Sequence, residues 1–165
     1  MRPGVRALLL LFLILLGACR AKAPYEGRGV AELERMLRDA NPAVQAQGAY
    51  GLSRLGSEAR SAVPALIAAL KKESLVRQNA ALALGQIGPD ARDAVPALCE
   101  ALGDSEWTVR RHAALALGHI GPQARQAIPA LHKLSRDLDP LVRQAAKTAL
   151  QQIRDGERTD KKSGK

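Results

Sequence analysis

Twenty-three residues of this chain are written three times. Val76–Leu98 reads VRQNAALALGQIGPDARDAVPAL, Val109–Leu131 reads VRRHAALALGHIGPQARQAIPAL, and Val44–Leu66 reads VQAQGAYGLSRLGSEARSAVPAL. A shortened copy, VRQAAKTALQQI, runs from Val142 to Ile153. The leading valines Val44, Val76, Val109 and Val142 are 32, 33 and 33 residues apart, and Leu55, Ile87, Ile120 and Ile153 keep that spacing. A period of roughly 20 to 50 residues is the signature of a stacked array. One such unit cannot bury its own apolar face, so each must lean on the next. That requirement excludes most other folds at once.

Each unit reads as two helices. In the first, Val76, Ala80, Leu84 and Ile87 fall at spacings of four, four and three, one buried stripe of a helix. Starts carry an acceptor with proline, Asn41-Pro42 and Asp139-Pro140, and Ser105-Glu106 is a similar start. Gly56, Gly88 and Gly121 mark the ends. The second helix carries Val63, Leu66 and Leu70, or Val95, Leu98 and Leu102. Pro64, Pro96 and Pro129 lie near its start, or bend it if it begins earlier, around Arg60; the sequence leaves both open. Small residues at Gly48, Ala80 and Ala113, and at Gly51, Ala83 and Ala116, predict close helix approach. Val30–Asp39 aligns with a second helix alone and predicts a half-repeat capping the stack. The fold class is therefore all-α, a solenoid of about four stacked antiparallel helix pairs.

The pattern VRxxAAxALGxIGxxA…AVPAL closely resembles bacterial HEAT-like repeats of the type first associated with phycobilisome chromophore lyases. The resemblance covers about Val30 to Arg154, a domain bounded here as 29–154. It implies a right-handed stack of antiparallel helix pairs with a curved surface, most relatives of this type simply binding proteins. Residues 155–165, DGERTDKKSGK, offer nothing to bury and are expected to be a disordered basic tail.

At the other end, Arg2 and Arg6 flank a short basic stretch, followed by an apolar run, Ala7–Leu16, of ten residues, against the ~20 a spanning helix needs. Charge, length and small-residue exit are those of a secretory signal, residues 1–18. The exit Leu16-Gly17-Ala18-Cys19 resembles the lipobox of bacterial lipoproteins, which implies lipidation at Cys19 and a place in the bacterial cell envelope, facing the periplasm or outside. Residues 19–28 then form a polar linker. Loss of residues 1–18 removes two arginines and lowers the formal charge from +9 to +7. Only Cys99 remains besides Cys19, so the exported fold has no intramolecular disulfide and relies on its aromatic-poor Leu/Ala/Ile/Val core. An exported basic protein is expected to meet acidic proteins or anionic headgroups rather than nucleic acid.

Two arginine ladders keep the repeat register. Arg77, Arg110 and Arg143 follow the stripe valines, with Gln45 in the first place; Arg60, Arg92 and Arg125 form the second ladder. Either ladder can grip an acidic partner. The first is assigned chiefly to the seam between repeats, holding helix C-termini or acids such as Asp104 and Asp139. The second is a candidate protein-binding group, although Glu58, Asp90 and Asp93 stand close enough in sequence to neutralise it. Trp107, the only tryptophan, stands at a helix start and joins that group, since interface hot spots favour Trp and Arg. Cys99 reads as a half-buried inert thiol, or alternatively as an attachment point.

Iron-binding HEAT hydroxylases use His-Glu pairs, which His112, His119 and His132 do not form here; no metal, cofactor or catalytic residue is assigned. The leading functional reading is a non-enzymatic, lipid-anchored envelope protein whose solenoid is a protein-binding scaffold. The alternatives are an accessory factor like the chromophore lyases, handling a ligand or modified protein, and a structural protein lying on the membrane surface.

Overall fold

The computed structural model describes residues 23–163, and these hold eight α-helices, three 3-10 segments and no strand. The helices are α1 (Val30–Leu37), α2 (Pro42–Leu55), α3 (Val63–Ala69), α4 (Ser74–Ile87), α5 (Val95–Ala101), α6 (Trp107–Ile120), α7 (Ile128–Leu134) and α8 (Pro140–Ser163). Three 3-10 connectors, Gly56–Ala62, Gly88–Ala94 and Gly121–Ala127, join each long helix to the short one that follows.

Backbone chemistry sets these boundaries. Gly56, Gly88 and Gly121 take φ of 55, 73 and 76° with ψ of −131, −136 and −140°, a region that L side chains rarely enter, so each long helix stops there. The prolines sit second in each short α-helix, just after a 3-10 run containing Arg60, Arg92 or Arg125. The helical path thus begins upstream of the proline, and regular α geometry begins beside it, where no N–H is needed. Asn41 Oδ1 accepts from Ala43 N–H at 2.9 Å, and Asp139 Oδ1 accepts from Leu141 N–H at 2.8 Å, as expected of N-caps. Ser105 does not cap α6; Asp104 Oδ1 instead accepts from Glu106 N–H at 2.9 Å, tightening the turn before the helix.

The long helices α2, α4, α6 and α8 pack side by side in chain order, and the short helices lie behind them. Leu66, Leu84, Leu98, Leu117 and Leu131 are fully buried, each such burial contributing about 1.5–3 kcal/mol. Alanines fill the remaining seam: Ala80, Ala83, Ala113, Ala146 and Ala149 are fully inaccessible. A Cβ added at Gly85 would lie 3.0 Å from Ala116 Cα, so the small residues do bring α4 and α6 into close contact. Short helices α3, α5 and α7 scarcely touch one another, and an open groove of about 730 Å³ separates α5 from α7. The long helices, being more closely spaced, therefore form the inner layer of the stack and the short ones splay on the outer side.

Helix α1 caps the first repeat as the alignment predicts: Leu33, Met36 and Leu37 are buried, and a Cβ at Gly48 would lie 2.8 Å from the Leu33 carbonyl. Two boundaries differ from expectation. Part of the linker is already folded, since Tyr25 meets Tyr50 edge-to-face at 5.0 Å; residues 19–22 and the signal segment 1–18 lie outside the described residues. At the far end α8 runs to Ser163, so the expected disordered tail is helical over 155–163. Packing that a glycine in a polar sequence conceals carries the helix past Ile153: Gly156 lies against Pro122 so closely that a Cβ there would come within 2.6 Å of Pro122 Cδ.

Candidate functional site

The first arginine ladder is spent on the seam. Arg77 Nε donates to Asp104 Oδ2 at 2.7 Å and its Nη2 to Oδ1 at 2.8 Å, while Nη1 reaches the Lys72 carbonyl at 2.7 Å. One repeat later Arg110 repeats the arrangement, bonding Asp137 at 2.9 and 3.0 Å and the Asp104 carbonyl at 2.8 Å. Arg143 Nη1 holds the Asp137 and Leu138 carbonyls at 2.9 and 2.8 Å, and Gln45 Nε2 does the same for the Asp39 carbonyl. Arg77 and Arg110 thus each tie one inter-repeat loop to the next, while Arg143 and Gln45 hold the loop before their own helix. The acids differ from expectation in one respect: Asp104 pairs as predicted, but the second partner is Asp137, because Asp139 is occupied as an N-cap.

Electrostatics follow the geometry. The Arg110 hydrogen bonds hold the Asp137 carboxyl below the usual carboxylate range against the opposing effect of burial. At Asp104 burial pushes the pKa up, but the Arg77 hydrogen bond, the Glu106 N–H and the two guanidinium charges together outweigh it, and the net direction is down. With Asp side chains only 11% exposed, these bidentate pairs are shielded enough to count energetically.

The second ladder is placed differently. Arg60, Arg92 and Arg125 are all exposed, one in each 3-10 connector. Their sequence neighbours do little to neutralise them: among the described residues the only ion pair made by the ladder is Arg92–Asp93, at 3.9 Å with both side chains open to water. Trp107 is 40% exposed, as a docking residue would need. It is, however, the first residue of α6, and the connectors lie at the far end of the long helices. Fourteen residues at ~1.5 Å each separate those ends by about 20 Å, so Trp107 and the arginines occupy opposite edges of the stack and form no single grip.

Cys99 is half-buried, and burial pushes its thiol pKa up, which disfavours the reactive thiolate. It lines the outer groove between α5 and α7. His112 Nδ1 donates to the Thr108 carbonyl at 2.7 Å, His119 Nδ1 to the Gly85 carbonyl at 3.2 Å, and His132 Nε2 accepts from Arg154 at 3.1 Å. Burial holds the His112 ring below its usual range, aided by Arg111 and opposed by the Thr108 bond. Each histidine is thus committed to a neighbour in the fold. Among the described residues no three His, Cys, Asp or Glu side chains converge as a metal site. Cys19 lies outside the described residues.

A family model for HEAT repeats matches residues 29–105 and again 95–161. The chain belongs to the HEAT-repeat family. No curated protein matches it significantly. Among solved structures, an engineered protein from a structural genomics consortium is similar at 30% identity and TM-score 0.66, over 77% of this chain and 63% of its own. A designed armadillo repeat protein in complex with the peptide (KR)4 is similar at 20% identity and TM-score 0.67, over 75% of this chain and 64% of that one. The complex of CpcE and CpcF of phycocyanin lyase from Nostoc sp. PCC7120 matches at 21% identity and TM-score 0.59, over 90% of both chains. This chain spans slightly less than two thirds of the length of the first two. At 20 and 21% identity the likeness is one of fold.

One feature of the HEAT stack becomes legible in the sequence once the long helices are known to share a face. None of the sixteen Asp and Glu residues falls in α2, α4, α6 or the part of α8 up to Ile153. All lie in loops, connectors, short helices or the chain ends. On the inner side the register 50, 82, 115, 148 presents Tyr50, Leu82 and Leu115 on the first three long helices and Thr148 on α8, all half-buried. Leu75 and Leu141, 55% and 49% exposed, begin the same helical stripes. The signal was the composition of each helix window taken separately; pooled over the chain it vanishes.

Proposed function

We propose that this chain is a non-enzymatic scaffold of the bacterial cell envelope, tethered by a lipid on Cys19, which docks another protein on its HEAT stack. The observation that carries this reading is the gathering of exposed side chains on two edges of the stack, the arginines in register across three repeats and Leu75 in register with Leu141. Arg60, Arg92 and Arg125 line one edge; Leu75, Trp107, Leu138 and Leu141 line the other, and the four are all the large exposed hydrophobics among the described residues. Scattered exposed leucines need no explanation, but four on one edge point to an interface. The histidines, by contrast, are tied to carbonyls or to Arg154, and the Cys99 thiol is raised in pKa. The designed armadillo protein was solved in complex with a peptide, which supports a stack of this fold holding a peptide segment.

Capture from native membranes tests the reading, comparing wild type with Trp107→Ala and with a triple Arg60/Arg92/Arg125→Glu variant. Loss of the captured protein with unchanged melting supports docking at that edge; capture indifferent to both tells against it. Detergent phase separation tests the tether: the reading requires Cys19→Ala to leave the detergent phase.

One observation favours a second reading, in which the domain lies on anionic headgroups. Tyr25 docks beside Gly51 near the C-terminal end of α2, so the chain enters the fold at the connector edge. Four residues from Cys19 to Ala23 span at most ~14 Å, which would keep the arginine connectors near the membrane. Binding of Cys19→Ala protein to anionic vesicles, lost in the triple arginine variant, would support it. The lyase-accessory alternative has only the shared fold in its favour; a chromophore bound to purified protein would revive it.

A further inference from the structure

The inner layer of the stack has its own chemistry, distinct from both edges. It is free of acids across α2, α4, α6 and α8 as far as Ile153, yet it carries Arg111, half-buried on α6, which pairs with no carboxylate among the described residues. Arg77 and Arg110 each hold an aspartate; Arg111, one residue on, does not. Beside it a cavity of about 200 Å³ opens between α4 and α6, floored by Gly85, Ala116 and Leu82 and rimmed by Gln86 and His119. It exists because the small residues that bring the helices together leave no side chains to fill it.

We infer that this inner face binds an extended segment of a partner protein whose side chains alternate apolar and acidic, an acidic group pairing with Arg111 and apolar groups lying on Tyr50, Leu82 and Leu115. The inference rests on the scaffold reading and specifies its partner. Charge complementarity selects the class. A face with an unpaired guanidinium and no carboxylate repels a basic segment and attracts an acidic one. Nucleic acid fits poorly: a duplex carries a charge every ~1.7 Å, and two guanidiniums, Arg111 and the exposed Arg54 in the register of Gln86 and His119, set among leucines and uncharged amides offer little to neutralise it. Length is set by the stack: three helix-to-helix steps of ~8–10 Å from α2 to α8 match about eight or nine extended residues at ~3.3 Å each.

The test uses the full chain in detergent and a labelled peptide of about nine residues alternating Leu and Glu, with a Leu and Lys counterpart, read by anisotropy. The Glu peptide is expected to bind at least about tenfold more tightly than the Lys peptide. Arg111→Gln should weaken the Glu peptide by about three- to tenfold and narrow that gap. Glutamine already fills the equivalent places, Gln78 and Gln144, so this variant folds. Lys133→Glu, on the outer helix α7, should leave both affinities within about twofold. Equal binding of the two peptides, indifference to Arg111→Gln, or tighter binding of single-stranded DNA or anionic vesicles overturns the inference. If Trp107→Ala still abolishes capture from membranes while these peptides fail, the scaffold reading stands and the inner-face partner falls.

Discussion

Asp137→Ala tests whether the arginine seam holds the stack together. Asp137 accepts two bonds from Arg110, at 2.9 and 3.0 Å, and its Oδ1 also accepts from Asp139 N–H at 2.9 Å. Hydrogen bonds to charged groups contribute about 1.5–3 kcal/mol, and orphaning a buried charge costs more. Arg110 is 17% exposed and keeps its bonds to the Asp104 and Ser105 carbonyls, so the loss is partly offset by water. We expect a cost of about 2–3 kcal/mol, or a fall in Tm of about 6–9 °C at ~3 °C per kcal/mol. Circular dichroism melts read it, and a double-mutant cycle with Arg110→Ala should recover a coupling of at least about 1 kcal/mol. The pH dependence has a definite sign. Because the folded Asp137 pKa is depressed, its stabilisation is present above the unfolded value near 3.9 and lost as pH falls through the folded value. Asp137→Asn should therefore lose less stability than wild type on acidification below pH ~4. A Tm for Asp137→Ala within about 1 °C of wild type would refute the seam as a source of stability.

Ala113 is fully buried, and Ala113→Leu should overpack the α6 interface and cost about 1–3 kcal/mol by urea titration. Gly121 adopts φ 76° with nothing within 4 Å of an added Cβ, so Gly121→Ala should cost about 1–3 kcal/mol from backbone strain alone. Cys99, with its thiol pKa raised by burial, should alkylate more slowly in native than in urea-unfolded protein when followed by mass spectrometry.

Register made most of the fold legible before any coordinates. The valine and alanine stripes, the glycine stops and the capping half-repeat all fall where the spacing puts them, because a repeated sequence gives several readings of one local structure. What escaped is what repetition does not encode. Gly156 reads as a breaker within a polar stretch, yet in α8 it is the residue small enough to lie on Pro122. Asp137 rather than Asp139 meets Arg110 because the nearer-looking acid is needed by the backbone of its own helix. Trp107 and the second arginine ladder looked like one site because sequence distance says nothing about which end of a helix a connector joins. The acid-free inner layer was visible, but only once the long helices were known to share a face.

The most direct test of the account places a photo-crosslinking amino acid on each layer in turn, at Leu115 on α6 and at Ile67 on α3, in cells making the full chain. The account predicts a discrete adduct with another protein from position 115 and little or none from position 67. Adducts from Ile67 alone, or none from either, would contradict a scaffold that docks its partner on the long-helix face.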